Sequence, residues 1–421
     1  EFYYAQNPSA KPSLVVIPTS LIFNWQDEYR KFAPERKIQV YHGPERHNIE
    51  AFEPGSVILT TYGMLLGEMT MLTKESFAYL IMDESQNVKN RLSKRYKGLS
   101  VIRADHRIAM TGTPIENGIS DLYAQISLVN PGLFVNYLSF SRMYKNALAE
   151  KEVDDSIQNL QQVVRHFLLR RTKKQVATDL PEKTETILYM DMLPKQRKIY
   201  DKYKKIFRGE IEGNIAGGDA SQTKFIAIEA LTKLRQLCDS PALLKDQNLE
   251  KDAVKLGFIE EIVSDVIPKH KVLIFSSFTS MLKLVQEQLE SLGTKFVYLD
   301  GQMTPPARQL AVQEFQQNED CKVFLISLKA GGTGLNLTAA DYVYILDPWW
   351  NPAAEAQAID RCYRIGQEKH VNAYKIVCRN SVEEKILSLQ NKKQKLVDDL
   401  IPDEQSLLKK MTSEELLQLF D

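Results

Sequence analysis

The sequence has few cysteines, no long apolar run and no excess of either charge. Only four cysteines occur in 421 residues and none forms a Cys-x-x-Cys pair, which disfavours a zinc site. Scattered single cysteines fit a reducing, intracellular compartment. No run approaches the roughly 18 apolar residues of a membrane span, so no membrane partner is expected. A net charge of zero argues against a wholly basic protein that coats DNA.

The N-terminus lacks both a signal peptide and an initiating methionine. Glu1 is followed by three aromatic residues, which indicates a fragment or processed piece, so this end gives no targeting information. The length predicts two or three domains with sizeable cores. A composition of 43% hydrophobic and 26% charged residues is typical of a globular protein.

The most informative stretch is an apolar run that ends in two carboxylates. Residues 78–82 (Ala-Tyr-Leu-Ile-Met) are typical of a buried strand in a parallel sheet, and Asp83 and Glu84 follow directly. Open α/β sheets bind ligands beyond the carboxyl ends of their strands. There, one carboxylate can hold Mg²⁺ and its neighbour can orient an attacking water. The alternative, a strand that ends in a solvated acidic turn, is the commoner outcome of such a pattern taken alone.

Strands and helices alternate along much of the chain, which predicts an α/β fold with parallel sheets. We expect a first α/β lobe over residues 1–134 and a helical insertion with the inter-lobe linker over residues 135–250. A second α/β lobe is expected over residues 251–382, and a brace helix and tail over residues 383–421. Within the insertion, the glycine-rich residues 209–219 are expected to form a loose loop.

Two further motifs follow predicted strands. Thr111, Gly112 and Thr113 form either an ordinary turn or a hinge that couples phosphate state to a bound strand. The segment 329–336 contains three glycines, whose backbone N–H groups can approach a phosphate closely; they are Gly331, Gly332 and Gly334. A glycine-rich loop alone is weak evidence for such a site.

Two arginines near the end of the second α/β region are three residues apart. This spacing predicts that Arg361 and Arg364 share a helical face. Two such arginines are usually surface charges. Alternatively, they neutralise charge on a transferring phosphoryl group.

In their order along the chain, these motifs resemble those of superfamily II helicase-like ATPases, and within them the Swi/Snf remodelling family. The most specific marks are Asp-Pro-Trp-Trp-Asn-Pro at residues 347–352, Arg-Cys-Tyr-Arg-Ile-Gly-Gln at 361–367 and Leu-Leu-Arg-Arg-Thr-Lys at 168–173. The resemblance covers almost the whole chain.

The resemblance implies two RecA-like lobes, with ATP bound in the cleft between them. Asp83 and Glu84 would serve Mg²⁺ and the attacking water, and Arg361 and Arg364 would act from the second lobe. Gln357 would help to position these arginines, and Gly332 and Gly334 would lie beside the nucleotide. The segment that couples phosphate state to the bound DNA strand would be Thr111, Gly112 and Thr113. Contacts to the DNA backbone, which carry no sequence information, would come from Pro18, Thr19, Ser20, Thr60, Thr61, Ser276, Ser277 and Gly331.

One element of the family is absent from the sequence. No Gly-x-x-x-x-Gly-Lys-Ser/Thr phosphate-binding loop occurs. In the family this loop lies upstream of the strand that contains Leu14, so we expect that the chain begins beyond it. We also expect an unpaired strand edge or gap in the first sheet. The chain alone is then predicted not to hydrolyse ATP appreciably.

The leading hypothesis is the motor core of an ATP-dependent translocase or remodeller on double-stranded DNA, with ATP and Mg²⁺ as cofactors. A protein complex, such as a polymerase or a chromatin-like target, is a further expected partner. The resemblance places the protein in the cytoplasm of a prokaryote or the nucleus of a eukaryote. The alternative is a DNA-binding scaffold without catalysis, and a third reading is an RNA-dependent ATPase.

A locally basic stretch lies between the two predicted lobes. Residues 165–210 contain 13 Lys and Arg against six Asp and Glu. We expect this stretch to guide DNA or to set the orientation of the lobes. A solvated helical face or linker is an equally good interpretation of composition alone.

Overall fold

The computed structural model describes residues 1–7, 10–67, 69–112, 119–144, 155–169, 171, 173–177, 179–217, 220–244, 252–331, 334–350, 352–397 and 417–420. The chain divides into two compact units. The first comprises the described residues up to 171, and the second comprises the described residues from Lys173 onwards. Each unit contains one parallel sheet, which confirms the predicted α/β fold with two parallel-sheet lobes. The finer division into four segments remains a prediction.

The sheet of the first unit has five parallel strands in the order β2-β3-β1-β4-β5. The strands are β1 (Ser13–Ile17), β2 (Ile38–Tyr41), β3 (Val57–Thr61), β4 (Ser76–Met82) and β5 (Arg103–Ala109).

The central strand β1 is buried on both faces, as expected of a parallel sheet covered on both sides. Successive side chains of a strand point to opposite faces. Leu14 and Val16 accordingly join one apolar cluster, and Val15 and Ile17 join another. At the edge, β5 exposes most of its side chains, and among the described residues no strand pairs with its outer side.

Seven helices of the first unit are described. They are α1 (Phe2–Gln6), α2 (Ile22–Phe32), α3 (Thr70–Lys74), α4 (Lys94–Ser100), α5 (Ile119–Val129), α6 (Tyr137–Tyr144) and α7 (Asp155–Arg165). Helix α2 packs Trp25 and Tyr29 against one face of the sheet. Helices α5 to α7 enclose a separate small core around Leu122, Phe140 and Val164.

The sheet of the second unit has six parallel strands in the order β6-β11-β10-β7-β9-β8. The strands are β6 (Lys183–Met190), β7 (Val272–Ser276), β8 (Phe296–Leu299), β9 (Val323–Ser327), β10 (Tyr342–Ile345) and β11 (Val371–Cys378). Strand β6 lies in the segment expected to be helical, and it forms the edge next to β11.

Nine helices of the second unit are described. They are α8 (Lys173–Val176), α9 (Pro194–Ala216), α10 (Ala220–Asp239), α11 (Val254–Glu261), α12 (Thr279–Ser291), α13 (Pro305–Gln317), α14 (Leu328–Gly331), α15 (Pro352–Ile359) and α16 (Val382–Val397).

The prediction of a loose loop over residues 209–219 is wrong for residues 209–216, which complete helix α9. Ile211 is fully buried and packs in the core that α9 forms with α10 and α16. Gly209 and Gly213 each cost roughly 1 kcal/mol in a helix, about 2 kcal/mol together. Burying Ile211 contributes about 1.5–3 kcal/mol, and Ile215 packs partly buried against the same core, so apolar burial offsets the two glycines.

Candidate functional site

The two carboxylates at the end of β4 lie at a strained turn. Glu84 has a φ of +49°, one of two positive values among the described non-glycine residues. This left-handed conformation is uncommon for a residue with a Cβ atom, and it typically persists only where surrounding contacts enforce it. The backbone N–H of Ser85 donates to the Met110 carbonyl, and its hydroxyl donates to Gln125 Oε1 at 2.6 Å. These contacts hold the turn after Glu84 against the end of β5 and against α5.

Both oxygens of the Asp83 carboxylate accept hydrogen bonds. Trp25 Nε1 donates to Oδ2 and the backbone N–H of Glu84 donates to Oδ1, each at 2.9 Å. The Tyr62 hydroxyl donates to the Asp83 carbonyl at 2.7 Å. Burial, assisted by the nearby charges of Asp83 and Glu84, raises the pKa of Tyr62 far above its usual value, so this donor keeps its proton. The carboxylate is thereby fixed in orientation while remaining partly exposed.

A chain of side-chain hydrogen bonds connects Glu84 to the end of β5. Gln86 Nε2 donates to Glu84 Oε2, and the Thr111 hydroxyl donates to Gln86 Oε1, both at 2.6 Å. The structure thus joins Glu84 to the segment predicted to act as a coupling hinge. Gly112 is exposed beside Thr111, and Thr113 lies outside the described residues.

The other strand ends of the first unit carry the residues predicted to contact DNA. Thr19 is exposed in a 3₁₀ turn directly after β1, with Pro18 and Ser20 partly buried beside it. Thr60 and Thr61 at the end of β3 are buried, and their hydroxyls bond to the Tyr41 carbonyl and to His42 Nδ1. In this geometry only Thr19 offers an exposed side chain, and the DNA contact of all five remains a prediction.

In the second unit, one buried carboxylate organises two strand ends. Asp347 follows β10 and bonds to both hydroxyls of Ser276 and Ser277 at the end of β7, and to the Ser277 backbone N–H at 3.0 Å. Ser276 is fully buried. In this structure its hydroxyl donates to Asp347, and its predicted contact with the DNA backbone remains untested.

Arg235 from α10 completes this cluster. Its Nη2 lies 3.3 Å from Asp347 Oδ1 and 2.9 Å from both the Ser277 hydroxyl and the Pro348 carbonyl. The guanidinium carbon lies 5.0 Å from the Phe278 ring centroid and 5.3 Å from that of Trp349. A buried arginine between two rings and a carboxylate forms a rigid link between α10 and the loops after β7 and β10.

A second buried charge cluster lies nearby. Lys255 Nζ donates to Asp239 Oδ1 at 2.8 Å, and to Glu383 Oε1 and the Leu346 carbonyl at 2.6 Å each. Burial raises the pKa of Asp239 and of Glu383. Burial alone would lower the pKa of Lys255, but the two carboxylates outweigh it and raise the pKa, so the ammonium stays charged. The cluster joins α10, α11 and α16 to the end of β10.

The glycine-rich segment continues from β9 into the short helix α14. A Cβ atom at Gly331 would lie 2.7 Å from Phe275 Cε1, so packing against β7 requires a glycine there. Gly334 has a φ of +48°. Gly332 lies outside the described residues, and the roles predicted for all three glycines remain untested.

The prediction that Arg361 and Arg364 share a helical face is wrong. Helix α15 ends at Ile359, and both arginines lie in the turns that follow. The buried amide of Gln367 donates to the carbonyls of Thr338, Ala340 and Cys362, which folds the segment back on itself.

Both arginines are partly buried in that segment, and Arg364 Nη1 reaches the Leu335 carbonyl at 3.4 Å. Gln357 is partly buried within α15. The structure brings these three residues into one region of the second unit.

The sequence matches two family profiles. Residues 2–243 match the SNF2-related domain and residues 254–366 match the helicase conserved C-terminal domain. The chain belongs to the SNF2-related family. This confirms the predicted family and makes the chain a helicase-like core of the Swi/Snf type.

Several SNF2-related relatives align along nearly the whole chain. They include an uncharacterized ATP-dependent helicase of Mycoplasma pneumoniae (32% identity, 99% of this chain, 40% of the relative) and the putative ATP-dependent helicase/translocase YwqA of Bacillus subtilis (34%, 97%, 45%). The TATA-binding protein-associated factor MOT1 of Saccharomyces cerevisiae is 30% identical over 98% of this chain and 25% of that protein. The chain thus spans about two fifths of the first of these relatives.

A solved structure of the same type is the Sulfolobus solfataricus SWI2/SNF2 ATPase core in complex with double-stranded DNA. It is 33% identical, covers 99% of this chain and 88% of its own, and superposes with a TM-score of 0.49.

Sequence reasoning missed three residues of this SNF2-related core, namely Trp25, Arg235 and Lys255. Each binds a carboxylate that is distant in sequence. A tryptophan inside a helical pattern and a basic residue in an apolar helix are the signals available, and neither identifies its partner. Trp350 packs in the α9–α10–α16 core, and Trp349 is partly buried. Among the described residues, no helix is long and apolar enough to cross a membrane.

Proposed function

We propose that the chain is the motor core of an ATP-dependent translocase on double-stranded DNA. The observation that carries the proposal is the Glu84–Gln86–Thr111 chain of hydrogen bonds beside a preset Asp83 carboxylate. These hydrogen bonds connect the carboxylate proposed to orient the attacking water, Glu84, to the segment that follows β5. The B. subtilis relative named a translocase and the S. solfataricus core complexed with DNA motivate the same choice.

The donor set after β4 fits Mg²⁺. Each carboxylate oxygen has two lone pairs, and each oxygen of Asp83 accepts one hydrogen bond described here, which leaves capacity for a hard cation. When bound, Mg²⁺ supplies positive charge against the phosphate oxygens of ATP. Glu84 accepts the hydrogen bond of the attacking water, and Gln86 holds its carboxylate. Arg361 and Arg364 supply the balancing positive charge in the proposed transfer.

In this proposal, DNA is bound by residues that directly follow the strands of the sheets. Thr19 is the exposed hydroxyl after β1, and a contact from such a residue binds the phosphodiester backbone and carries no sequence information. Thr111 has a different role in the proposal, because its bond to Gln86 couples the site to the end of β5. We propose that hydrolysis and release change the arrangement of the two units, so that each cycle moves the backbone contacts along the duplex.

The test is ATP hydrolysis with and without duplex DNA, measured on this chain and on a longer form of the same gene product. We expect the longer form to hydrolyse ATP with stimulation by DNA, and the isolated chain to show little turnover. Glu84→Gln in the longer form is the matched control, because it keeps the shape of the side chain and removes its charge. If both forms bind DNA and neither hydrolyses ATP, the scaffold alternative replaces the motor.

A further inference from the structure

Helix α9 presents one buried face and, opposite it, a face that carries a row of lysines. Its buried residues pack against α10 and α16; they are Gln196, Tyr200, Phe207 and Ile211. The spacing of four or seven residues between neighbours in this set is that of a single helical stripe. The opposite stripe of α9 therefore faces away from the core of the unit.

That opposite stripe is a row of lysines. Lys195, Lys198, Lys202 and Lys205 follow one another at intervals of three or four residues, and all are exposed. The row is about 15 Å long at 1.5 Å per residue. Among the described residues, Lys198, Lys202 and Lys205 form no ion pair with any carboxylate. Three of the row's positive charges are thus left uncompensated.

No acidic residue of α9 lies among the four lysines on this stripe. Asp201, about 80° around the helix axis from the centre of the row, pairs with Arg197. Glu212 lies on the continuation of the stripe, seven residues after the last lysine of the row, and pairs with Arg208. Glu210, the remaining acid, lies about 100° around the helix axis from the centre of the row. An ordinary solvated helix face mixes both signs along one stripe, so the segregation marks this face as distinct.

We infer that the lysine row of α9 is a contact surface for the phosphodiester backbone of double-stranded DNA, additional to the motif residues at the strand ends. Lysine provides point charges without the planar fork that reads bases, which suits contacts independent of sequence. About 15 Å of duplex axis presents roughly four phosphates of one strand. Ile206 is exposed beside the row, but a single apolar side chain is too little to form the core of a protein–protein interface, which favours DNA over an acidic protein partner.

This inference rests on the proposed function for its partner, and the two can fail separately. The experiment measures binding of a fluorescent duplex by anisotropy over about 50–200 mM salt, where each phosphate contact contributes about 0.9 to the slope of log affinity against log salt. The variant is Lys198→Gln/Lys202→Gln/Lys205→Gln. The matched control replaces three exposed lysines of the same unit outside the row, Lys269, Lys283 and Lys369, by Gln.

We expect the row variant to lower the salt slope by about 2–3 and to weaken binding at least tenfold at the lower salt concentration, because three phosphate contacts are lost. The control should retain the wild-type slope. Thermal unfolding of both variants should match the wild type, since all six side chains are exposed.

An unchanged slope in the row variant overturns the inference and leaves the proposed motor intact. Absence of duplex binding by the wild-type chain overturns both. The same series is run with labelled polyglutamate and with single-stranded RNA. A loss confined to polyglutamate assigns the row to an acidic protein, a loss confined to RNA assigns it to RNA, and either result overturns the inference.

Discussion

The indole N–H of Trp25 donates a hydrogen bond of 2.9 Å to the Asp83 carboxylate, from a helix 58 residues earlier in the chain. The second carboxylate oxygen is held by the next backbone N–H. Partners behind a metal-binding carboxylate set its orientation, and their loss typically costs 10–100-fold in affinity or activity. Trp25 is therefore a positioning residue for the proposed Mg²⁺ site.

We predict that Trp25→Phe lowers Mg²⁺-dependent ATP turnover of the hydrolysing form by about 10–100-fold, with partial recovery at high Mg²⁺. Phenylalanine keeps most of the packing of the ring against Tyr29 but has no donor for Asp83. Turnover is measured across a Mg²⁺ titration. Tyr29→Phe, which alters the same apolar cluster without touching the carboxylate, serves as the control. An identical Mg²⁺ dependence in wild type and Trp25→Phe would contradict the prediction.

The Gln86 bridge gives a second prediction. Thr111→Val removes the hydroxyl that donates to Gln86, and the amide then no longer holds Glu84 in place. A hydrogen bond in this range contributes about 1–1.5 kcal/mol, so ATP turnover should fall roughly tenfold while DNA affinity is retained. Thr111→Ser keeps the donor and should stay close to wild type in a steady-state assay. Equal losses in the valine and serine variants would rule out the hydrogen bond as the cause.

The sequence predicted the strands and motifs of this core because these depend on local pattern. Apolar runs such as residues 78–82 specify buried strands, and short motifs lie where those strands end. Strand β6 was not predicted, because it is an edge strand whose polar residues, such as Lys183 and Glu185, occupy exposed or partly exposed positions. Its first four residues are polar and its last four are apolar, so it lacks the period-two alternation that marks a half-buried strand.

The geometry of the candidate site could not be predicted in the same way. Arg235 meets Asp347 across 112 residues, and the contact exists only once α10 packs beside β7 and β10. Arg361 and Arg364 have helical spacing, yet α15 ends at Ile359 because Gln367 binds carbonyls that a continuing helix would not reach. Both cases depend on tertiary contacts, for which a single sequence carries no signal.

The Arg235 cluster yields a third prediction. Arg235→Met removes one partner of a buried pair and leaves Asp347 with the serine contacts alone, so the second unit should lose about 3–5 kcal/mol of unfolding free energy. Arg235→Lys keeps a charge but not the planar fork, and it should recover only part of the loss. Urea unfolding measures both. If the lysine variant matched the wild type, the fork geometry would have no role.

The Lys255 cluster yields a fourth prediction, which concerns pH. Lys255→Met leaves Asp239 and Glu383 buried without their shared cation, which should cost about 3–5 kcal/mol near neutral pH. Burial already raises the pKa of both carboxyls, and loss of the ammonium raises it further. A carboxyl whose pKa is higher in the folded state binds protons more tightly when folded. The unfolding free energy of the variant should therefore rise as the pH falls from about 8 towards 5.

Urea unfolding of Lys255→Met and the wild type at several pH values tests this sign. We expect the deficit of the variant to be largest at the alkaline end and to shrink as the carboxyls gain protons. Lys255→Met/Asp239→Asn/Glu383→Gln is the matched control, because its amides stay neutral and its deficit should not vary with pH through these groups. A deficit in Lys255→Met that grows on acidification would mean that the two carboxylates do not depend on Lys255 for compensation, and the cluster would then be held together by packing alone.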